Sequence, residues 1–231
     1  MTFDIDWAPD ASIELCLDLL DRHDVKATFF ATHLTDLNQE IVSRGHELGI
    51  HPNFLPGSTH GTDTTQIIET CLEFAPAARY LRTHSLVQSS RLFHEIFGRF
   101  PQLTTDISLL MHKARHVQRC RWGFNGVSFD RILYNWEDDA EFDSQDFDYT
   151  TPAFYGDLTI YDFHPIHVHL NSRTADSYQN LRNSLGARHL TSASTSEIER
   201  HRNPQPGSFN FITAVLDSDA KSIALADVGR T

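Results

Sequence analysis

The chain has 231 residues and a formal net charge of −12, which argues against a general nucleic-acid or anionic-membrane binder. Its length suits one domain, spanning residues 1–231, with a sizeable core. Three widely spaced cysteines (Cys16, Cys71 and Cys120) favour reduced thiols over a disulfide framework. No apolar run approaches the ~18 residues of a membrane span. The first predicted strand leaves no room for a signal peptide, so we expect a cytoplasmic protein without membrane insertion.

Strand and helix patterns alternate along the chain. Strands are predicted at 1–5, 25–30, 47–51, 78–82, 126–134, 156–163 and 222–228. Helices are predicted after Asp10, at 37–44, from residue 63 or 64 to before Pro76, around 92–97 with an end at Gly98, and at 208–220. This alternation predicts an α/β fold with parallel strands beneath helices.

Two stretches lack a regular period. Residues 137–148 hold seven acids, and such a run is typical of a solvated loop: Glu137, Asp138, Asp139, Glu141, Asp143, Asp146 and Asp148. The polar, proline-punctuated segment 191–206 is predicted to be a mobile loop.

Chemically capable side chains collect at the predicted strand ends. Asp4 and Asp6 stand at i and i+2 on the first strand, so they should share one face, about 7 Å apart. Later strands end near His51, Arg82 and His164. In α/β proteins, ligand and metal sites collect at the carboxyl ends of the strands.

Four segments, taken in this order, resemble the motifs of the polysaccharide deacetylase family (NodB-homology, carbohydrate esterase 4). They are Thr2-Phe3-Asp4-Ile5-Asp6, Gly45-His46-Glu47-Leu48-Gly49-Ile50-His51-Pro52, Arg82-Thr83-His84-Ser85 and Phe163-His164-Pro165. The chain is most similar to a branch tied to surface-polysaccharide or O-antigen synthesis. The resemblance implies an irregular, NodB-like (β/α)7 barrel. It also implies a single catalytic domain that removes an N-acyl group, most simply N-acetyl, from an amino sugar.

The resemblance also implies roles for individual residues. Asp4 matches the general base, and Arg82 matches the arginine that pairs with that base. His164 matches the histidine that protonates the leaving amine. Asp6 and His51 match two metal ligands.

The third protein ligand stays open. The family's second ligand histidine stands four residues after the first, where this chain has Leu55. His60 is slightly favoured in its place, because a loop containing Pro56-Gly57 can return it to the His51 strand. His84, two residues after Arg82, is the alternative.

The expected cofactor is a divalent metal, above all Zn²⁺, with Co²⁺ or Ni²⁺ as alternatives. Zinc held by one carboxylate and two imidazoles keeps an open position and lowers the pKa of its water to about 7. Asp4 would then accept the proton of that water, with Arg82 keeping Asp4 ionised, and His164 would donate a proton. The expected partner is an N-acetylated sugar or sugar conjugate.

Other interpretations remain open. An Asp-x-Asp after a first strand also begins phosphatases of the haloacid-dehalogenase type, although Ala8 stands where they have Thr or Val. A non-catalytic sugar-binding protein on the deacetylase scaffold is a second alternative.

Several residues carry a structural interpretation beside the functional one. His46 is interpreted as a packing or hydrogen-bonding residue, whereas His167 and His169 are either structural or supporting residues or take part in catalysis. The segment 136–139 is either a solvated loop or the source of an acid that orients a catalytic histidine. The basic segment 113–121 is interpreted as solvated surface rather than an anion site.

Overall fold

One curled sheet organises the chain. The computed structural model describes residues 1–142, 144 and 146–229, so Asp143 of the acidic run lies outside the described residues. The strands are β1 (Thr2–Asp4), β2 (Thr28–Ala31), β3 (Glu47–Ile50), β4 (Tyr80–Leu81), β5 (Thr105–Leu110), β6 (Arg119–Phe124), β7 (Val127–Tyr134), β8 (Trp136–Glu137) and β9 (Tyr161–Phe163). Their order in the sheet is β6-β7-β5-β4-β3-β2-β1-β9-β8. The sheet curls into an open, irregular barrel, which confirms the predicted fold class.

Parallel pairing fixes where the strands end. All neighbouring strands are parallel except β6 and β7, which form an antiparallel hairpin. The central strand β1 lies between β2 and β9, with Thr2 opposite both Thr28 and Asp162. The carboxyl ends of the parallel strands therefore meet at one edge, where α/β proteins place their sites.

Buried aromatic rings pack β1 against its two neighbouring strands, β2 and β9. The ring of Phe3 stacks on that of Phe29 at 4.6 Å between centroids and lies 5.9 Å from that of Phe163. All three side chains are fully buried, so each central strand contributes apolar surface to the core.

Helices cover the sheet. They are α1 (Asp10–Arg22), α2 (Leu37–Ser43), α3 (Thr64–Phe74), α4 (Ser90–Arg99), α5 (Pro165–Leu170), α6 (Asp176–Leu185), α7 (Thr195–Arg200) and α8 (Ser208–Leu216). The start of α3 agrees with the sequence, because the Asp63 side chain accepts a hydrogen bond from the Gln66 N–H. Helix α4 continues through Gly98 rather than ending there. No helix in the described part of the chain has the length and apolar character needed to cross a bilayer.

Two predicted segments differ from the structure. The predicted strand 222–228 is wrong, because a single 3₁₀ turn (Leu225–Asp227) lies there and Leu225 packs on buried Ile107 and Ile132 without strand pairing. The predicted loop 191–206 contains α7, whose start is fixed by a capping box between Ser194 and Glu197.

Candidate active site

A left-handed turn directs the two N-terminal acids. Strand β1 ends at Asp4, and Asp6 and Trp7 follow with φ of 45° and 54°. The Ala8 N–H closes the turn by donating to the Ile5 carbonyl oxygen at 2.8 Å. The i, i+2 spacing predicted that Asp4 and Asp6 share one strand face. This prediction is wrong, because the strand ends at Asp4 and the turn redirects Asp6. Left-handed non-glycine residues cost about 1–3 kcal/mol and cluster at functional sites, and this turn gives the two acids different surroundings.

Three donor atoms converge beyond the turn. Asp6 Oδ1 lies 3.1 Å from His51 Nε2 and 3.0 Å from His84 Nδ1, and the two nitrogens are 3.3 Å apart. A tetrahedral ion with bonds of about 2.0–2.1 Å holds its ligand atoms about 3.3 Å apart. The separations and the donor set, one carboxylate and two imidazoles, therefore fit a zinc-type site with one open position.

Protonation is consistent with metal binding. Although burial opposes ionisation, hydrogen bonds to His51 and His84 hold the pKa of Asp6 well below its ordinary value. His51 Nδ1 is buried without a hydrogen-bond partner and lies 3.6 Å from Asp4 Oδ2. When a metal replaces the hydrogen bond between His51 Nε2 and Asp6, a proton on Nδ1, facing Asp4, would leave the lone pair on Nε2 for that metal.

His60 does not join this group. Its Nε2 lies 2.7 Å from the Thr32 carbonyl oxygen, and its Nδ1 accepts from the Asn53 N–H at 3.1 Å. Both ring nitrogens are therefore occupied, and the structure brings His84, the alternative, to Asp6 and His51. The ring of Trp7 contacts both histidines, at 5.5 Å from His60 and 5.3 Å from His84 between centroids.

Arg82 connects Asp4 to a second carboxylate. Its Nη1 donates to Asp4 Oδ1 at 2.9 Å and also contacts Asp162 Oδ1, and its Nη2 donates to Thr2 Oγ1 at 3.0 Å. The guanidinium lies between the rings of Phe30 and Tyr134, at 4.6 and 4.2 Å from their centroids. The Arg82 side chain is thus completely buried and is held in one orientation by these contacts.

Burial opposes the ionisation of Asp4. It raises the pKa of Asp4 well above its ordinary value, and Asp162 adds to this rise, while Arg82 opposes it. The expectation that Arg82 keeps Asp4 ionised therefore meets an opposing effect of burial. Asp4 Oδ2 makes no hydrogen bond with the described residues and retains lone pairs for a proton.

Asp138 orients His164. Asp138 Oδ1 lies 2.7 Å from His164 Nδ1, and Asp138 Oδ2 accepts from the His164 N–H at 3.1 Å. Burial opposes the imidazolium, but the charge and hydrogen bond of Asp138 raise the pKa of His164 well above its ordinary value. His164 Nε2 faces Asp6 Oδ2 at 3.6 Å. Of the two interpretations of segment 136–139, the structure therefore has the orienting acid, and Asp138 is buried.

Two further donor groups share His164. One contains Asp4 and Asp162, and the other contains Glu137 and Asp139. Arg82 already neutralises the first group, and Glu137 of the second accepts from the Tyr134 hydroxyl at 2.8 Å. Neither offers two imidazoles, so the group with His51 and His84 fits a transition metal best.

A large open groove lies beside the site. Its volume is about 1640 Å³, and it runs between α2 and α3. Trp7 and His60 line it, but its lining includes neither the three donor atoms nor His164. The donor atoms therefore lie at the strand ends and outside this groove.

An irregular parallel barrel with these acids and histidines at the carboxyl ends of its strands defines the class of polysaccharide deacetylases. The WbmS-like polysaccharide deacetylase family matches residues 1–182. A crystal structure of WbmS from Bordetella bronchiseptica, assigned as a polysaccharide deacetylase involved in O-antigen biosynthesis, is 34% identical in sequence. The match covers 93% of this chain and 88% of that chain, with a TM-score of 0.75. None of the curated proteins matches the chain.

The chain belongs to the WbmS-like polysaccharide deacetylase family. The resemblance expected from the sequence is thus confirmed, and the NodB-like barrel with it. Membership also argues against the haloacid-dehalogenase-type phosphatase.

Asp162 was not identified from the sequence. It stands in the apolar run Ile160-Tyr161-Asp162-Phe163, two residues before His164, yet it is completely buried. An acid inside an apolar strand beside a strand-end histidine is the signal that points to it, because a buried carboxylate needs a charged partner.

Proposed function

We propose that the protein is a metal-dependent carbohydrate N-deacetylase that removes an N-acetyl group from an amino sugar. The observation that supports this most is the convergence of Asp6, His51 and His84, next to both Asp4 and His164. Amide hydrolysis needs an activated water, stabilisation of negative charge and a proton for the departing nitrogen, and this group contains a residue for each.

Asp6, His51 and His84 would hold the metal, most simply Zn²⁺, with Co²⁺ or Ni²⁺ as alternatives. A bound ion of this kind supplies an open position that activates water and withdraws charge from the substrate carbonyl. The remaining residues of the site act on protons and orientation.

Asp4 accepts the proton of the attacking water. Arg82 holds one carboxylate oxygen and leaves Oδ2 available. The raised pKa of Asp4 makes its carboxylate a stronger proton acceptor than an exposed aspartate. Asp138 fixes His164 through Nδ1, so Nε2 is the atom that gives a proton to the leaving nitrogen.

The substrate class follows from the relative. The similar WbmS protein is assigned to O-antigen biosynthesis, and we propose that this chain likewise acts on a sugar of a surface polysaccharide. We place the reaction in the cytoplasm, which the three free cysteines support. The site draws on residues from β1 to β9, so we also propose that the chain works as one catalytic domain.

The proposal is tested with purified protein loaded with Zn²⁺ or Co²⁺ and a panel of N-acetylated sugars, sugar nucleotides and oligosaccharides. We expect release of acetate, and loss of that release in Asp4→Asn. Orthophosphate from phosphomonoesters without acetate would support the phosphatase alternative. Sugar binding without either product would identify a non-catalytic binding protein.

A further inference from the structure

A second buried histidine stands beside His164. His167 lies one helical turn further along α5, and the centroids of the two imidazole rings are 5.5 Å apart. His164 precedes α5 as its N-cap residue, so the distance between the rings, and not helical spacing, shows that the two side chains lie together. Only 8% of His167 is exposed, and the proposed reaction assigns it no task.

Ser172 fixes the orientation of the His167 ring. Its Oγ lies 3.1 Å from His167 Nδ1, and its N–H donates to the His167 carbonyl oxygen at 2.9 Å. Ser172 follows the carboxyl end of α5. Nε2 is on the far side of the ring from Nδ1, and the ring itself lies beside that of His164.

Nε2 of His167 is an available hydrogen-bond donor. The Ser172 hydroxyl has no other partner in the described part of the chain. In the tautomer in which this hydroxyl donates to Nδ1, the ring proton is on Nε2. Burial, with the neighbouring His164, lowers the pKa of His167 to about 3, which keeps the ring neutral. Nε2 itself makes no hydrogen bond with the described residues, and it is not among the atoms sealed from solvent.

Two aromatic rings flank this donor. The Phe142 ring is perpendicular to that of His167 at 4.8 Å between centroids, and the Tyr178 ring lies at 5.3 Å. A few fixed polar atoms among aromatic walls are typical of small-molecule pockets. The position next to His164 therefore has the composition of a subsite.

We propose that His167 Nε2–H donates a hydrogen bond to a hydroxyl oxygen of the sugar that carries the cleaved amide. This inference rests on the proposed function, in which His164 protonates the leaving nitrogen. Asp6 Oδ1 faces the metal donors and Asp6 Oδ2 faces His164. The carbonyl would lie on the first side and the nitrogen with its sugar ring on the second, so the group that reaches His167 belongs to the sugar.

The test compares two substitutions of His167, one by the shorter Asn and one by the longer Gln. In His167→Asn the amide replaces Nδ1 beside Ser172 but ends short of the Nε2 position, whereas His167→Gln places an N–H near that position. The control is His169→Asn, because His169 is buried on the same helix and its Nδ1 bonds Ser12 Oγ at 2.9 Å. Calorimetry on the metal-loaded proteins, with N-acetylglucosamine and the panel sugars, gives the dissociation constants.

We expect His167→Asn to bind the sugar about 10-fold more weakly, and His167→Gln to recover to within about 3-fold of the original affinity. His169→Asn should bind as tightly as the unchanged protein. For the active enzyme, the effect should appear mainly in KM with kcat nearly constant.

Deoxy analogues of the sugar make the result independent of how well a variant folds. Removal of one ring hydroxyl should weaken binding to the unchanged protein about 10-fold and have no effect on His167→Asn. Equal affinities of His167→Asn and the unchanged protein would overturn the inference, as would equal losses in the His169→Asn control or no binding of any panel sugar. Sugar binding without acetate release would instead refute the proposed reaction and leave the affinity comparison valid.

Discussion

Trp7 separates two histidines with different surroundings, and only one of them reaches the donor group. Both ring nitrogens of His60 form hydrogen bonds with the backbone of Thr32 and Asn53, whereas His84 Nδ1 faces Asp6. In the sequence, a Pro-Gly loop gave His60 access and the position two residues after Arg82 gave it to His84, so the choice between them stayed narrow. The Asn53 N–H is seven residues from His60 and the Thr32 carbonyl is 28 residues away, and no pattern in the sequence shows that either needs a partner.

Single substitutions can test which histidine is the proposed third metal ligand. His84→Ala should weaken zinc binding by at least about 100-fold, because it removes a donor atom, while His60→Ala should retain one zinc per chain. Zinc stoichiometry by elemental analysis, on samples checked for native circular dichroism, decides this. Depleted zinc in His60→Ala with full zinc in His84→Ala would return the role to His60.

Asp4 and Asp6 should fail in different ways. Asp4→Asn removes the proton acceptor, so we expect zinc to stay and kcat to fall by about 10²–10⁴-fold. Asp6→Ala removes a ligand, so zinc occupancy itself should fall. Measurement of zinc content and acetate release on the same samples separates the two effects, and equal zinc loss in both variants would contradict these roles.

At the scale of strands and helices, the strand-end positions of Asp4, His51, Arg82 and His164 were predictable, because alternating apolar segments locate parallel strands. The pairing of β1 with β9 was not predictable from local pattern, and it is this pairing that places Asp162 against Arg82. The wrong strand at 222–228 has a related cause: Leu225 and Val228 are buried in a cluster with sheet residues, but the segment does not pair with a strand.

His46, just before β3, should make the free energy of unfolding depend on pH. His46 is buried just before β3, its Nδ1 accepts from the Ala27 N–H at 3.2 Å, and burial lowers its pKa to about 4. Above pH 6.5 both folded and unfolded states are neutral at this residue. As pH falls below 6.5 the unfolded state takes up the proton first, so the folded state loses about 2 kcal/mol by pH 5.

Urea unfolding between pH 7.5 and 5 measures this dependence. His46→Asn keeps an acceptor near Ala27 but does not titrate, so its unfolding free energy should fall less with acid. His23→Asn is the matched control of opposite sign, because hydrogen bonds to Leu19 and Asp217 raise the pKa of His23 and stabilise the protein at low pH. An unchanged slope in His46→Asn would refute the assignment.

For the whole molecule, the donors come from three separate parts of the sheet: the turn after β1, the end of β3 and the turn after β4. A ligand that binds only the folded state stabilises it. Free zinc at 100 times its dissociation constant should therefore add about 2.7 kcal/mol, or roughly 5–10 °C in Tm for a chain of this size. Thermal melts with zinc and with a chelator test this, and His84→Ala should show no such shift.

The pairing of β1 with β9 also affects the order in which parts of the chain fold. Thr2 bonds Asp162 across 160 residues of chain, so Arg82 receives its second carboxylate only after the most distant segments have met. Contacts of such long sequence separation form slowly, because the loop-closure entropy must be overcome first. During refolding, activity should therefore return later than the helical signal, with the late phase belonging to this closure.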